Sequence, residues 1–369
     1  MRKTERLLPG ACRASWSLEI PAKSGRRITT IRRVEDRLAA YLTTFTPADE
    51  EYVDAVFRLV LRRDPDQDAR GRALAKLADG TLSRATLLHE LATAHEFERI
   101  QILDDAIAFA RGARARGERP RRLQAPPGTD ERAIEIPWVL ARLSGGRTLE
   151  VGYAFAEPAY IAALVEALPD GLVGVDLAEA EVPGMTTVTA DVRSLPFADR
   201  SFDQVLLVST LEHVGADNEL YGLEQGVDPE GRGHALRELR RVLVPRGRLL
   251  VTVPVGEPED YAWFRQEDVR GWTRLFTRRG FFVEEQEAYE LGPEGWRAAP
   301  AFDPRGVRYG DRGPAASAVL CAELSPRRLR RLVTPDGLER TARRRVGPRY
   351  RRWRPASGAP GAGGQPGGI

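Results

Sequence analysis

The chain has 369 residues, 42% of them hydrophobic and 30% charged, and a formal net charge of +3. That composition is ordinary for a soluble globular protein, and the length suits two domains or one large domain with tails. No run of about 18 apolar residues offers a spanning helix, and the two cysteines, Cys12 and Cys321, are too far apart to form a metal or redox motif.

The N-terminal MRKTERLLPGACRASW lacks the apolar core of about 7 to 15 residues that a signal peptide needs. A reducing, cytoplasmic setting is therefore expected. Residues 1–40 carry mixed charge without periodicity and are expected to be weakly structured.

Residues 41–110 read as a small helical domain. Val53, Val56, Phe57, Val60 and Leu61 share one helical face, and Thr46, Pro47 and the acidic residues 49–51 mark its start. RRDPDQDARG reads as a turn. Leu74 and Leu77 open a second helix, and Ser83 caps a third with Leu87, Leu88, Leu91 and Phe97 inward. His89 and His95 are six apart, off any shared helix face, so they do not read as metal ligands. Residues 111–128 are basic and Pro-rich and read as a linker.

From Thr129 onward, short apolar runs alternate with helical segments, the layout of a parallel sheet covered by helices. The helix ERAIEIPWVLARLSGG contains Pro137, a potential kink. The strand RTLEV then holds Glu150 and stops at Gly152, where a glycine permits a sharp turn into the next helix. The strand LVGVD ends at Asp176, placed to accept ribose hydroxyls at the sheet edge; a nicotinamide-binding fold would show the same acid. TTVTAD ends at Asp191, and LPFADRSFD leads into the strand QVLLVS. STLEHVG then presents Ser209, Thr210 and His213. With an imidazole suited to proton transfer at pH 7, His213 reads either as a general base or as a residue that orients the site. Asp217 and Tyr221 lie in the loop beyond. Trp263, Phe264, Gln266 and Trp272 read either as an acceptor pocket or as core.

These motifs, above all LPFADRSFD, resemble the class I S-adenosylmethionine-dependent methyltransferases over residues 129–324. The resemblance implies an α/β fold: a Rossmann-like seven-stranded methyltransferase sheet, here preceded by the small all-α domain, with the last two strands forming an antiparallel edge. It implies S-adenosyl-L-methionine as cofactor. Glu150 would bond its amino group, Asp191 and Val192 its adenine, and Ser209, Thr210 and Leu211 its methionine part, with Gly152, Tyr153, Asp176 and Leu177 completing the cofactor site. The usual G-x-G-x-G is altered, because Ala154 and Ala156 stand at the second and third glycines, and alanine resists positive φ. No metal site is implied. The helical block, through LVLRRDPD, DGTLSR and AHEF, resembles phycobilisome-linker-like modules of unknown function.

The expected reaction is methyl transfer to a small-molecule or glycan acceptor, at oxygen. One alternative is a catalytically weak scaffold that binds a partner. Another is an RNA methyltransferase that uses the tail. Residues 325–369 read as an Arg-rich, then Gly- and Pro-rich, disordered tail. From Pro326 onward, twelve Arg against Asp336 and Glu339 give it a net +10 and leave −7 for the rest. Such a tail can bind nucleic acid, anionic lipid or an acidic glycan. Yet only Lys3, Lys23 and Lys76 are lysines among the 56 basic residues. That arginine bias fits GC-rich coding and a merely solvated tail.

Overall fold

The computed structural model describes residues 48–219, 222, 226–313, 315–327, 331–333 and 339–341. Its centre is one mixed sheet. The parallel strands are β1 (Thr148–Val151), β2 (Leu172–Asp176), β3 (Thr186–Thr189), β4 (Phe202–Val208) and β5 (Leu243–Pro254); β8 (Phe281–Gly292), β9 (Gly295–Ala298) and β10 (Ala318–Pro326) are antiparallel additions. In space the order is β3–β2–β1–β4–β5–β10–β8–β9. Strands β1, β2 and β4 are nearly all buried because both faces of a parallel sheet are covered.

The sheet has eight strands rather than the expected seven. The extra one arises from the turn at Gly292–Gly295, which folds β9 back antiparallel onto β8. Gly295 has φ 100°, and a Cβ there would lie 2.2 Å from the Ala125 carbonyl oxygen. The Trp296 amide donates to that same oxygen at 2.8 Å, and the Ala125 amide returns a bond to Trp296 at 3.2 Å. The segment expected as the linker 111–128 thus packs against the outer sheet edge, with Leu123 and Ala125 buried. Covering an edge strand in this way removes a template for aggregation.

Helices α5 (Arg132–Leu140) and α6 (Pro158–Ala167) cover one face of the sheet; α7 (Gly231–Val242) and α8 (Val269–Arg278) cover the other. The N-terminal module comprises α1 (Asp49–Leu61), α2 (Gln67–Ala78), α3 (Arg84–Thr93) and the start of α4 (His95–Ala115). Its apolar core includes the five residues of the α1 face named above. Ser83 caps α3, its Oγ accepting from the Thr86 amide at 3.1 Å. The run RRDPDQDARG is only partly a turn, because Asp66 accepts from the Ala69 amide at 2.7 Å and so starts α2 within it. Helix α4 crosses the expected boundary at 110: Phe97 belongs to the module core, whereas Ile107, Ala110 and Ala113 pack with the sheet layer.

Residues 1–47 lie outside the described residues, and so does most of the chain after Arg327. The expectations for 1–40 and 325–369 therefore fall there, apart from the end of β10 and a short antiparallel pair, β11 (Arg331–Val333) with β12 (Glu339–Thr341). Among the described residues no helix is long and apolar enough to cross a membrane.

Candidate functional site

The parallel strands end along one edge of the sheet, and the strand order reverses between β1 and β4, the place where such sheets form their ligand crevice. Gly152 closes β1 with φ 90°. A Cβ there would stand 2.5 Å from Thr210 Oγ1, so only glycine lets the ends of β1 and β4 meet this closely. Beyond it, Tyr153–Phe155 form one 3₁₀ turn and Pro158 opens α6. Ala156 has φ −71°, and Ala154 is not among the positive-φ residues. The altered glycine loop therefore needs glycine only at 152.

A cavity of about 280 Å³ opens at this edge. Gly152, Asp176, Leu177, Asp191, Val192, Ser209, Thr210 and His213 all line it. The Asp176 carboxylate is held by two backbone donors, Ala178 N–H to Oδ1 and Ala154 N–H to Oδ2, each at 3.0 Å. Asp191 pairs with Arg193 at 2.6 Å, and Arg193 reaches on to Asp228 at 3.2 Å. Ser209 Oγ donates to Glu135 Oε1 at 2.8 Å.

Glu150 and Tyr153 do not line the cavity. Alternation along β1 puts Leu149 and Val151 toward one helical layer and Glu150 toward the other. There Glu150 Oε2 accepts from the Tyr160 hydroxyl at 2.9 Å, and burial pushes its carboxyl well above the usual range. Tyr153 turns inward, its hydroxyl donating to the Ala180 carbonyl at 2.8 Å.

The other end of the cavity is built around His213, in the 3₁₀ turn Leu211–His213 after β4. A carbonyl oxygen can only accept, so the 3.0 Å contact of Nδ1 with Trp263 O assigns the proton to Nδ1 and the lone pair to Nε2. Burial pushes the imidazole below its usual value, keeping it neutral at pH 7. The Trp263 and Phe264 rings stand 5.3 and 5.9 Å from the imidazole, and the Tyr309 ring lies 4.8 Å from Phe264. A short hairpin, β6 (Glu259–Asp260) with β7 (Arg265–Gln266), presents Trp263 and Phe264 at its tip. Gln266 and Trp272 instead belong to the core; Gln266 bonds Glu257 O and Val307 O, and Trp272 Nε1 bonds Pro254 O. Asp217 stays off the lining, while its neighbour Asn218 lines the cavity and donates to His213 O at 3.3 Å. Tyr221 lies outside the described residues.

Sequence reasoning missed three glutamates. Glu131, Glu135 and Glu212 all line the cavity and are buried. Burial, reinforced by the Glu135 charge, pushes the Glu131 carboxyl up to about 8. Burial likewise raises Glu135, against hydrogen bonds from Ser209 and Thr252, and holds Glu212 well above the carboxylate range. A faint signal was present. Glu131 and Glu135 are spaced i, i+4, and Glu135 sits inside the apolar run Ile134, Ile136, Pro137, Trp138.

The raised values set the sign of a pH effect. The folded protein keeps the Glu131 proton up to about pH 8, whereas the unfolded chain releases it near 4.5, so stability falls as pH rises between those values. Each such group removes at most about 1.4 kcal/mol per pH unit. Glu131→Gln should therefore raise the melting temperature at pH 8 and leave it nearly unchanged at pH 5. A variant less stable than wild type at pH 8 would show that the carboxylate is stabilised in the fold.

A doubly wound sheet with acids beyond successive strand ends, here Asp176 and Asp191, is a frame for a nucleotide-type ligand. Residues 159–251 match the family model described as methyltransferase domain, and residues 40–100 match a domain of unknown function (DUF4214). A probable tRNA methyltransferase 9B of Bos taurus is 25% identical over 139 residues, 38% of this chain and 26% of that protein. The chain thus spans about a quarter of the length of this curated relative. Among solved structures, a 1,6-didemethyltoxoflavin-N1-methyltransferase of Burkholderia thailandensis, with bound S-adenosylhomocysteine, is 14% identical, covering 77% of this chain and 92% of that one with a TM-score of 0.37. A possible histamine N-methyltransferase of Thermotoga maritima is 17% identical, covering 52% and 87% with a TM-score of 0.35.

Proposed function

We propose that this protein transfers the methyl group of S-adenosylmethionine to a small-molecule acceptor that enters beside His213. One observation carries the reading: the strand-end acids Asp176 and Asp191 share a single cavity with His213 and the ring cluster. The residues fit the cofactor. Two backbone donors fix the Asp176 carboxylate, and its remaining lone pairs can accept a ribose diol. Val192 offers an apolar surface for a base, and Gly152 leaves its backbone open to close approach.

Bound there, the cofactor supplies a methyl group on a positively charged sulfur, open to in-line displacement. The chain's own contribution is positioning, exclusion of water and removal of a proton. His213 Nε2 holds the lone pair for that last task. The ring cluster keeps the acceptor end dry.

Asp176→Ala should weaken S-adenosylhomocysteine binding by about 1–3 kcal/mol, roughly 5- to 150-fold, by leaving the hydroxyls unpaired. Titration calorimetry of both proteins reads this directly. A wild type that stays silent at millimolar ligand would leave only a scaffold built on a methyltransferase fold.

A further inference from the structure

We propose that Glu131, Glu135 and Glu212, with the rings of Trp263, Phe264 and Tyr309, bind an ammonium group, so that the acceptor is a small organic amine. This rests on the methyl-transfer reading and narrows its substrate class, away from the neutral hydroxyl acceptor expected from the sequence.

The carboxylates supply the first argument. Glu131, Glu135 and Glu212 are 7%, 0% and 3% exposed. In each, Oε2 has no hydrogen-bond partner, and all three residues face the same cavity. A buried polar atom left unpaired is costly, so native folds rarely keep one without a use. Without a cation beside them, burial holds these carboxyls protonated; an ammonium entering the cavity exchanges for those protons, and the carboxylates then form a set of acceptors matched to a ligand rich in donors. An ammonium carries three donors and a charge, whereas an alcohol carries one donor and none.

Arg132 and Arg232 lie close enough to act on these carboxyls electrostatically, but neither bonds any of the three Oε2 atoms. Arg132 leans on Asp130 at 3.5 Å and on the other oxygen of Glu131 at 3.9 Å, with its side chain 44% exposed. Arg232 pairs with Glu267 at 3.2 Å. Nor are the carboxylates arranged for a metal, since among the described residues no group of three or more His, Cys, Asp or Glu could hold one.

The rings supply the second, independent argument. Trp263, Phe264 and Tyr309 line the cavity and pack edge-on or tilted within 5.8 Å of one another. Aromatic faces attract an organic cation, and more strongly where water is excluded. Carboxylates and rings in one cavity select a cation with an apolar body over an anion or a sugar.

The test is calorimetry on the full chain, with and without saturating S-adenosylhomocysteine, using phenethylamine and its neutral counterpart 2-phenylethanol as probes. The amine should bind saturably in the millimolar range or tighter, and the alcohol about tenfold weaker or worse, the worth of roughly one charge-assisted bond. Glu131→Gln and Glu212→Gln keep the side-chain shape, and a melting curve checks that each variant folds. Each should cost about tenfold or more in amine affinity and leave S-adenosylhomocysteine affinity within a few-fold.

Equal binding of amine and alcohol overturns the proposal, as does amine binding that both substitutions leave intact. So does a loss of S-adenosylhomocysteine affinity in place of amine affinity, because the carboxylates would then serve the cofactor's own amino group. Amine binding without S-adenosylhomocysteine binding would instead sink the methyl-transfer reading and leave the ammonium site standing.

Discussion

His213→Ala should lower kcat by about 10²–10⁴-fold, the usual contribution of a positioned general base, while S-adenosylhomocysteine affinity stays within a few-fold. The expectation follows from the proton assignment. Nδ1–H is tied to the Trp263 carbonyl at 3.0 Å, which leaves Nε2 as the acceptor. Burial lowers the imidazole's affinity for a proton, so the base form is already present at neutral pH. In the wild type the His213 step should appear as a rise of the rate with pH through an apparent value below 6.5. That step should vanish in the variant. If the histidine only orients the site, cofactor affinity or melting temperature drops instead, and the pH profile survives.

The largest effect on stability should come from Arg142→Ala, a loss of about 3–5 kcal/mol, the usual result of breaking a buried ion pair from one side. The Arg142 side chain is fully buried and lies 2.9 Å from Glu285 Oε1. It also bonds the carbonyls of Trp138 at 3.2 Å and Pro120 at 3.1 Å, and its guanidinium stacks 3.9 Å from the Trp138 ring centroid. Removing it leaves Glu285 and Glu287 with Arg121, whose side chain is 62% exposed and therefore counts for little. The melting temperature of the sheet domain should fall by roughly 6–20 °C, at about 2–4 °C per kcal/mol for a domain of about 150–250 residues. A fall equivalent to less than about 1 kcal/mol would mean that solvent or Arg121 compensates the two acids.

The parts of this fold that the sequence disclosed are those set by local pattern. Strands β2 and β4 were visible as apolar runs because a parallel sheet needs apolar residues on both faces. Asp176 was visible because it closes β2, Asp191 because it follows β3, and Gly152 because it follows β1 at once. The α1 stripe was visible from its 3.6-residue period.

What stayed hidden depends on contacts between distant segments. Glu150 sits near the end of β1, but the parity of a four-residue strand decides which face it takes, and it falls under α6. The ninth strand depends on Ala125, far away in sequence and inside what read as a linker. The acidic lining combines α5 with the turn after β4, and Tyr309 joins it from a loop beyond β9. No local window spans such sets. The doubt attached to Ala154 and Ala156 also needed backbone angles to resolve, since the loop turns at Gly152 alone.

A crystal structure of the protein with S-adenosylhomocysteine tests most directly whether one cavity serves both cofactor and acceptor. The ribose hydroxyls should lie on the Asp176 carboxylate and the adenine beside Asp191 and Val192. The sulfur should face the space bounded by His213, Glu212 and Trp263. A ligand bound elsewhere, or bound with its sulfur walled off from His213, would contradict the site proposed for this chain.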